Sequence, residues 1–218
     1  ANTTSGFSIV KYTGNGSDGA TVGHGLGAVP KLIIYKELTE ARNWYVFTSG
    51  IDGTYDNLYL NLTDANTNRS ITLPTSSLFS LSTSNEHNAS SQDYIAYCFA
   101  EVKGFSKFSS YIGTGNADGT FVYTGFKPTY LAIKRNAVEN WYCTDTKRNP
   151  LNPVTGNLLL LNKTDAEISA SYPVDFLSNG FKIRGSNNIT NASGSTYIYW
   201  TFAESPFTTS TGIPATAR

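Results

Sequence analysis

Few residues in this sequence have the type and spacing that acid–base or nucleophilic chemistry requires. The histidines are His24 and His87. A Ser-His-Asp arrangement needs a nucleophile on a sharp turn beside a positioned base, and no G-x-S-x-G occurs. His24 lies in Gly23-His24-Gly25-Leu26-Gly27 and reads as a loop histidine held by turn geometry. Glycoside hydrolysis needs two carboxylates facing one groove. Asp52, Asp56 and Asp64 are near one another in sequence, but Asp64 belongs to a Thr-Asp-Ala motif that recurs and reads as a turn cap.

Phosphate and metal chemistry are no better served. Gly14-x-Gly16-x-x-Gly19 has the form G-x-G-x-x-G. A hairpin is expected after it, so no helix N-terminus is there to hold a pyrophosphate. Asp52-Gly53-Thr54-Tyr55-Asp56-Asn57 has oxygen ligands enough for Ca²⁺, yet it lacks the bidentate Glu and the EF-hand spacing and reads as a turn. Cys98 and Cys143 lie in Tyr-Cys-Phe and Trp-Tyr-Cys-Thr, where a thiol behaves as a small buried hydrophobe. The expectation is a chain that is not an enzyme, with no catalytic residues, no metal and no cofactor.

The elements that position these residues come in two copies. Pro30 answers to Pro128, Lys36 to Lys134, and Asn43-Trp44-Tyr45 to Asn140-Trp141-Tyr142. Leu60-Asn61 with Thr63-Asp64-Ala65 returns as Leu161-Asn162 with Thr164-Asp165-Ala166. Asn88-Ala89-Ser90 returns as Asn191-Ala192-Ser193, Tyr94-Ile95 as Tyr197-Ile198, and Phe99-Ala100-Glu101 as Phe202-Ala203-Glu204. Matches in one order with a slowly growing offset describe a tandem duplication of about 100 residues per unit. The expected division is 1–103, 104–210 and a C-terminal tail at 211–218. No Pro- or Ser-rich spacer separates the units, so they are expected to pack rigidly, since a flexible linker needs several free residues; one fused sandwich with the halves sharing a core is the alternative.

Within each copy the pattern is that of strands. Phe7–Tyr12, Lys31–Tyr35, Asn43–Phe47, Leu58–Leu62, Ser70–Leu73, Leu78–Leu81 and Tyr94–Ala100 alternate or are β-branched and aromatic between Gly/Asn/Ser clusters, the strand signature. Helix signals are confined to about one turn each at Leu38–Arg42 and Thr164–Ile168. The fold class is therefore all-β, two tandem jelly-roll-like sandwiches of about seven or eight strands each. Charged residues make up 15% and aromatics 13%, which excludes a disordered polar tail. No apolar run approaches the about 18 residues of a spanning helix, so no membrane insertion is expected. Sixteen basic against sixteen acidic side chains leave no field for nucleic acid. With no Met and a polar Ala1-Asn2-Thr3-Thr4 start, the chain is expected to be a piece of something longer.

Residues kept in both copies are read as scaffold: Trp44 and Trp141, Lys36 and Lys134, Glu101 and Glu204. Lys36 with Glu101, and Lys134 with Glu204, are expected to pair as ions across a sheet. Recognition is sought instead in loops that differ between copies. These are Ser49–Asn57, which carries Tyr55 and Asp56, and Thr146–Pro153, which carries Lys147, Arg148 and Asn149. A tyrosine beside Asp and Asn can stack on a sugar ring and bond its hydroxyls, so Tyr55, Asp56, Arg148 and Asn149 are the candidate ligand contacts. Residues 1–103 hold six Lys and Arg against nine Asp and Glu, and 104–218 hold ten against seven. Opposite signs of this kind suit head-to-tail contact between chains.

Longer motifs carry a resemblance. They are Phe7-Ser8-Ile9-Val10-Lys11-Tyr12-Thr13-Gly14-Asn15-Gly16, Gly23-His24-Gly25-Leu26-Gly27 with Pro30-Lys31-Leu32-Ile33-Ile34, Tyr94 to Val102, Asp175 to Lys182, and Phe202-Ala203-Glu204-Ser205-Pro206-Phe207. Together they resemble the C-terminal repeat domain of virion structural proteins from marine and cyanobacterial tailed phages. In such proteins that domain often follows a concanavalin-like domain. The resemblance covers nearly the whole chain and implies a place on the virion surface, outside the cell, in a tail fibre or other appendage. It also implies a homo-oligomer, a trimer or higher assembly, with other virion proteins as partners, and it brings no catalytic residues. The function expected is a non-enzymatic module presenting loops to a host-surface glycan. An architectural subunit of a capsid decoration or fibre is the alternative, and a polysaccharide depolymerase a third.

Overall fold

The computed structural model describes residues 1–206, apart from the side chains of 154–156 and 170. The expected tail at 211–218 lies outside the described residues. Two compact units divide between Glu101 and Val102.

The first unit holds strands β1 (Phe7–Thr13), β2 (Thr21–Gly23), β3 (Pro30–Glu37), β4 (Tyr45–Thr48), β5 (Tyr55–Tyr59), β6 (Thr67–Arg69), β7 (Leu78–Ser80) and β8 (Asp93–Ala100), with the one-turn helix α1 (Asn85–Asn88) before β8. Six strands pair in the order β1-β8-β3-β4-β5-β6, and β2 pairs with β7 as a separate ribbon. Every pairing is antiparallel. Alternation sets the core: Tyr94, Ala96, Cys98 and Ala100 of β8 are buried on one side of the pleat, as the period of two requires. Phe79 of β7 meets that face edge-on at Tyr35, with ring centroids 5.5 Å apart. Burying a side chain of that size is worth about 1.5–3 kcal/mol, and it ties the ribbon to the six-stranded sheet.

The second unit holds β9 (Ser106–Ile112), β10 (Phe121–Tyr123), β11 (Pro128–Arg135), β12 (Tyr142–Asp145), β13 (Val154–Leu160), β14 (Ile168–Leu177), β15 (Gly180–Ile183), α2 (Asn188–Asn191) and β16 (Thr196–Ala203). Its strands run β10-β15-β14-β13-β12-β11-β16-β9. Read from β9, this is the strand order of the first unit, with β10-β15 in the place of β2-β7. The difference is in one strand. β14 has ten residues and reaches both β13 and β15, whereas β6 has three and stops short of β7. The all-β architecture expected from the alternation is what the chain adopts.

Several expectations are corrected. Ser70–Leu73 is not a strand; pairing ends at Arg69, five residues before Pro74, which has no N–H for a ladder. The helical turns fall at α1 and α2 and not at Leu38–Arg42 or Thr164–Ile168. Their signal was a cap: Ser84 Oγ accepts from Glu86 N, and Asn187 Oδ1 accepts from Thr190 N at 3.2 Å, the N-cap role of these residue types.

The repeated polar residues make the same bonds in each unit. Trp44 N donates to Asn61 Oδ1 at 2.9 Å, and Trp141 N to Asn162 Oδ1 at 2.8 Å. The buried Asn88 side chain donates to Ser17 O and Ser82 O while accepting from Asn15 N. Asn191 likewise donates to Asn116 O and Gly185 O and accepts from Thr114 N. One glycine pair makes room for this: a Cβ on Gly14 would stand 2.3 Å from Ala89 O, and one on Gly113 2.3 Å from Ala192 O.

The expected ion pairs do not form. Lys36 stands opposite Ile95, while Ala100, next to Glu101, stands opposite Pro30 at the other end of β3. Six residues of strand at about 3.3 Å each separate the two charges. Lys36 Nζ donates to Glu37 O at 2.8 Å, and Lys134 Nζ to Arg135 O at 2.9 Å and Ala137 O at 2.8 Å. Glu204 pairs with Lys127 at 2.6 Å instead.

Candidate functional site

Position along the strands decides what each candidate residue can touch. Tyr55 and Asp56 were expected on an exposed loop, but they open β5, of which the first four residues are buried. The Tyr55 ring packs 4.3 Å from that of Phe47 and is 1% exposed. It fills core and cannot stack on a sugar. Asp56 is fully buried, and its Oδ1 accepts from Asn66 Nδ2 at 2.8 Å. Burial pushes its carboxyl up to about 6 even so, with the neighbouring Asp52 adding to the rise.

Arg148 and Asn149 do lie in the loop between β12 and β13, as sequence implied, but they hold the loop together. Asp145 Oδ1 accepts from Lys147 N at 2.9 Å and Arg148 N at 2.8 Å, and its Oδ2 accepts from Arg148 Nε at 2.9 Å. Glu167 takes the other arm of that guanidinium. Asn149 is buried, donating to Asn157 O at 2.6 Å and accepting from Asn157 N at 3.3 Å. Beside this loop is a cavity of about 200 Å³, lined by Thr146, Lys147, Asn152, Phe176 and the Lys127–Glu204 pair. That is smaller than the about 300–1,000 Å³ of drug-sized sites, and several of its polar groups are already bonded within the fold. Asn152, for example, is tied on both sides to the Phe176 backbone.

Sequence reading missed the most exposed aromatic pair among the described residues. Phe121 is 43% and Tyr123 64% exposed. They project from the same side of β10, two residues apart, and β10 is an edge strand of its sheet. The Phe121 ring lies over Gly180, where a Cβ would meet it at 3.1 Å, and the Tyr123 ring lies near Gly125. In the first unit the corresponding strand β2 carries Thr21 and Gly23 around the shared Val22. The scaffold therefore folds without the two rings. Comparing the copies at this strand would have revealed them.

The histidines and cysteines are each engaged or buried within the fold. His24 Nδ1 accepts from Leu26 N at 3.2 Å and its Nε2 lies 3.1 Å from Thr75 O, the turn role expected of it. His87 is buried against Tyr35 and Tyr45, and its Nε2 accepts from Ser82 N at 3.1 Å. Desolvation pulls its imidazole down to about 4. Both cysteines are free and buried, and burial pushes the Cys98 thiol up to about 12, the opposite of an activated nucleophile. Among the described residues no three His, Cys, Asp or Glu side chains cluster. No helix among them is long and apolar enough to cross a membrane.

Residues 1–206 match the family described as Domain of unknown function (DUF7483), and the chain belongs to that family. No curated protein matches it, and no solved structure does.

Proposed function

We propose that this member of the family is a non-enzymatic structural module of a phage virion, exposed on a tail fibre or similar appendage, that binds a host-surface glycan. The observation that carries the glycan reading is the Phe121–Tyr123 pair. Two exposed rings on one side of an edge strand offer an apolar surface, and the C–H faces of pyranose rings stack on such surfaces. Lys182 stands opposite Phe121 on β15 and pairs with Asp118 at 2.7 Å, which places hydroxyl-binding groups beside the rings. The virion placement is supported by the motifs that resemble phage structural proteins. Screening the intact chain on a glycan array and on whole host cells tests the reading. Binding by the parent protein and a loss of tenfold or more in Phe121→Thr/Tyr123→Gly support it. Blank arrays and cells, or equal binding by the double variant, overturn it.

A second reading rests on the same strand. An edge strand presents unpaired backbone groups on which another chain can add, so β10 also suits self-assembly into a fibre or decoration. Light scattering with electron microscopy separates the two: rods or sheets of purified protein favour assembly, and a discrete small particle favours recognition.

A further inference from the structure

The corner between β4 and β6 gathers oxygen-bearing side chains that the scaffold does not require. Asp52 and Thr54 come from the turn after β4, Asp56 from β5, and Asn66 and Asn68 from the segment that enters β6, with Asn68 directly opposite Asp56. Asp52 Oδ1 accepts from Thr54 N at 2.9 Å, and Asn68 Nδ2 donates to Thr54 Oγ1. Asp52 and Asp56 are close enough for the Asp52 charge to act on the Asp56 carboxyl. Asp56 is 0% exposed, and its Oδ2 has no hydrogen-bond partner.

That last atom is the reason to look for a ligand. A buried carboxylate oxygen with no partner is costly, and here a second carboxylate adds repulsion. The cation nearest in the strand pairing does not relieve it. Arg69 stands opposite Tyr55, on the other side of the pleat, and gives its Nε to Asn57 Oδ1 at 2.7 Å. The scaffold itself makes no demand for the charge. In the second unit the position matching Asp56 holds Asn157, a residue without charge, whose backbone is bonded to the Asn149 side chain.

We propose that this corner is a Ca²⁺ site, in which the Asp52 and Asp56 carboxylates, the Thr54 hydroxyl and the amide oxygens of Asn66 and Asn68 ligate one ion. All the donors are hard oxygens, and two charges among several neutral oxygens suit the flexible six to eight ligands of Ca²⁺ better than the rigid octahedron of Mg²⁺. Asn66 Nδ2 now points at Asp56 and Asn68 Nδ2 at Thr54. A half-turn of each amide presents its oxygen instead. The site is independent of the glycan reading, since every ligand lies in the first unit.

Calorimetric titration of EDTA-treated protein with Ca²⁺, beside melting curves in Ca²⁺ and in Mg²⁺, tests the assignment. The expected dissociation constant is on the order of 10⁻⁴–10⁻³ M, as in extracellular modules. About 10 mM Ca²⁺ is expected to raise Tm by about 3–8 °C, and Mg²⁺ by much less. Asp52 is exposed, so Asp52→Asn is expected to melt like the parent in EDTA while binding Ca²⁺ at least tenfold more weakly. No heat and no Tm shift up to 10 mM Ca²⁺, an equal shift with Mg²⁺, or unchanged affinity in Asp52→Asn each overturns the site. Asp56→Asn is the second variant, expected to lose the Ca²⁺-dependent Tm rise altogether; a rise equal to the parent's overturns the site too.

Discussion

Tyr94 stacks on Tyr12 with ring centroids 5.4 Å apart and planes 16° from parallel, and both phenols donate to backbone carbonyls of α1. Tyr12 reaches His87 O at 2.7 Å and Tyr94 reaches Asn85 O at 2.7 Å. Tyr111 and Tyr197 repeat the relationship at 5.1 Å and 11°, donating to Thr190 O and Asn188 O of α2, both at 2.6 Å. An isolated helix of four residues has no stability of its own. In each unit a pair of stacked tyrosines supplies it.

Removing one of these hydroxyls is therefore expected to cost more than an average hydrogen bond. Tyr94 also accepts from Ala89 N at 2.9 Å, so Tyr94→Phe leaves a carbonyl and an amide without their partner. The expected loss is about 1–3 kcal/mol in urea unfolding, with Tyr197→Phe alike and Tyr12→Phe nearer 1 kcal/mol. Loss below about 0.5 kcal/mol in both units would show that water replaces the phenols freely.

The same corner of each unit forbids a methyl group. Gly14→Ala places Cβ against the Ala89 carbonyl, which belongs to backbone and cannot swing away. Overpacking of this kind costs about 1–3 kcal/mol or more, and Tm is expected to fall by several degrees in Gly14→Ala and in Gly113→Ala. A melting curve identical to the parent's would mean that the helical turn shifts at no cost.

His87 makes stability depend on pH with a definite sign. Its folded value of about 4 lies below the ordinary 6.5 because burial disfavours the imidazolium. The unfolded chain then binds the proton more tightly. The contribution is complete above about pH 6.5 and is lost as pH falls toward 4. His87 is expected to account for a loss of unfolding free energy on the order of 2–3 kcal/mol between pH 7 and pH 4, while Asp56, raised to about 6, acts in the opposite sense over the same range. The His87 share is read from urea unfolding as the difference between the parent's pH profile and that of His87→Gln, and equal slopes in the two would assign the effect elsewhere.

Thiol chemistry gives a further check on the core. Cys98 is 0% exposed and its thiol is pushed up to about 12, and burial raises Cys143 as well. Neither is expected to react with a disulfide reagent at pH 8 in the native protein, while both react promptly in urea. Rapid native labelling of either would contradict the packing described for it.

Much of this was legible in the chain alone, because it depends on local period. Alternation in Phe7–Tyr12, Lys31–Tyr35 and Tyr94–Ala100 marks β1, β3 and β8, since one-sided burial imposes a period of two. The burial of Cys98 and Cys143 followed from their apolar neighbours, and the role of His24 from its glycines. The recurrence of Asn61, Asn88 and Tyr94 showed which polar residues each unit needs, without showing that they cap turns and clasp a helix. Register was beyond reach. Lys36 and Glu101 look like a pair until the ladder sets Lys36 opposite Ile95 and Glu101 six residues away. Burial of both faces of β5 was likewise hidden, for a strand buried on two sides has no alternation to read, so Tyr55 and Asp56 passed for loop residues. Exposure was the converse case. Phe121 and Tyr123 have the sequence of a core strand, and only the placing of β10 at a sheet edge leaves them to solvent. Local pattern depends on each residue's neighbours in the chain, whereas register, two-sided burial and edge position depend on strands far apart in sequence, and those the tertiary structure alone decides.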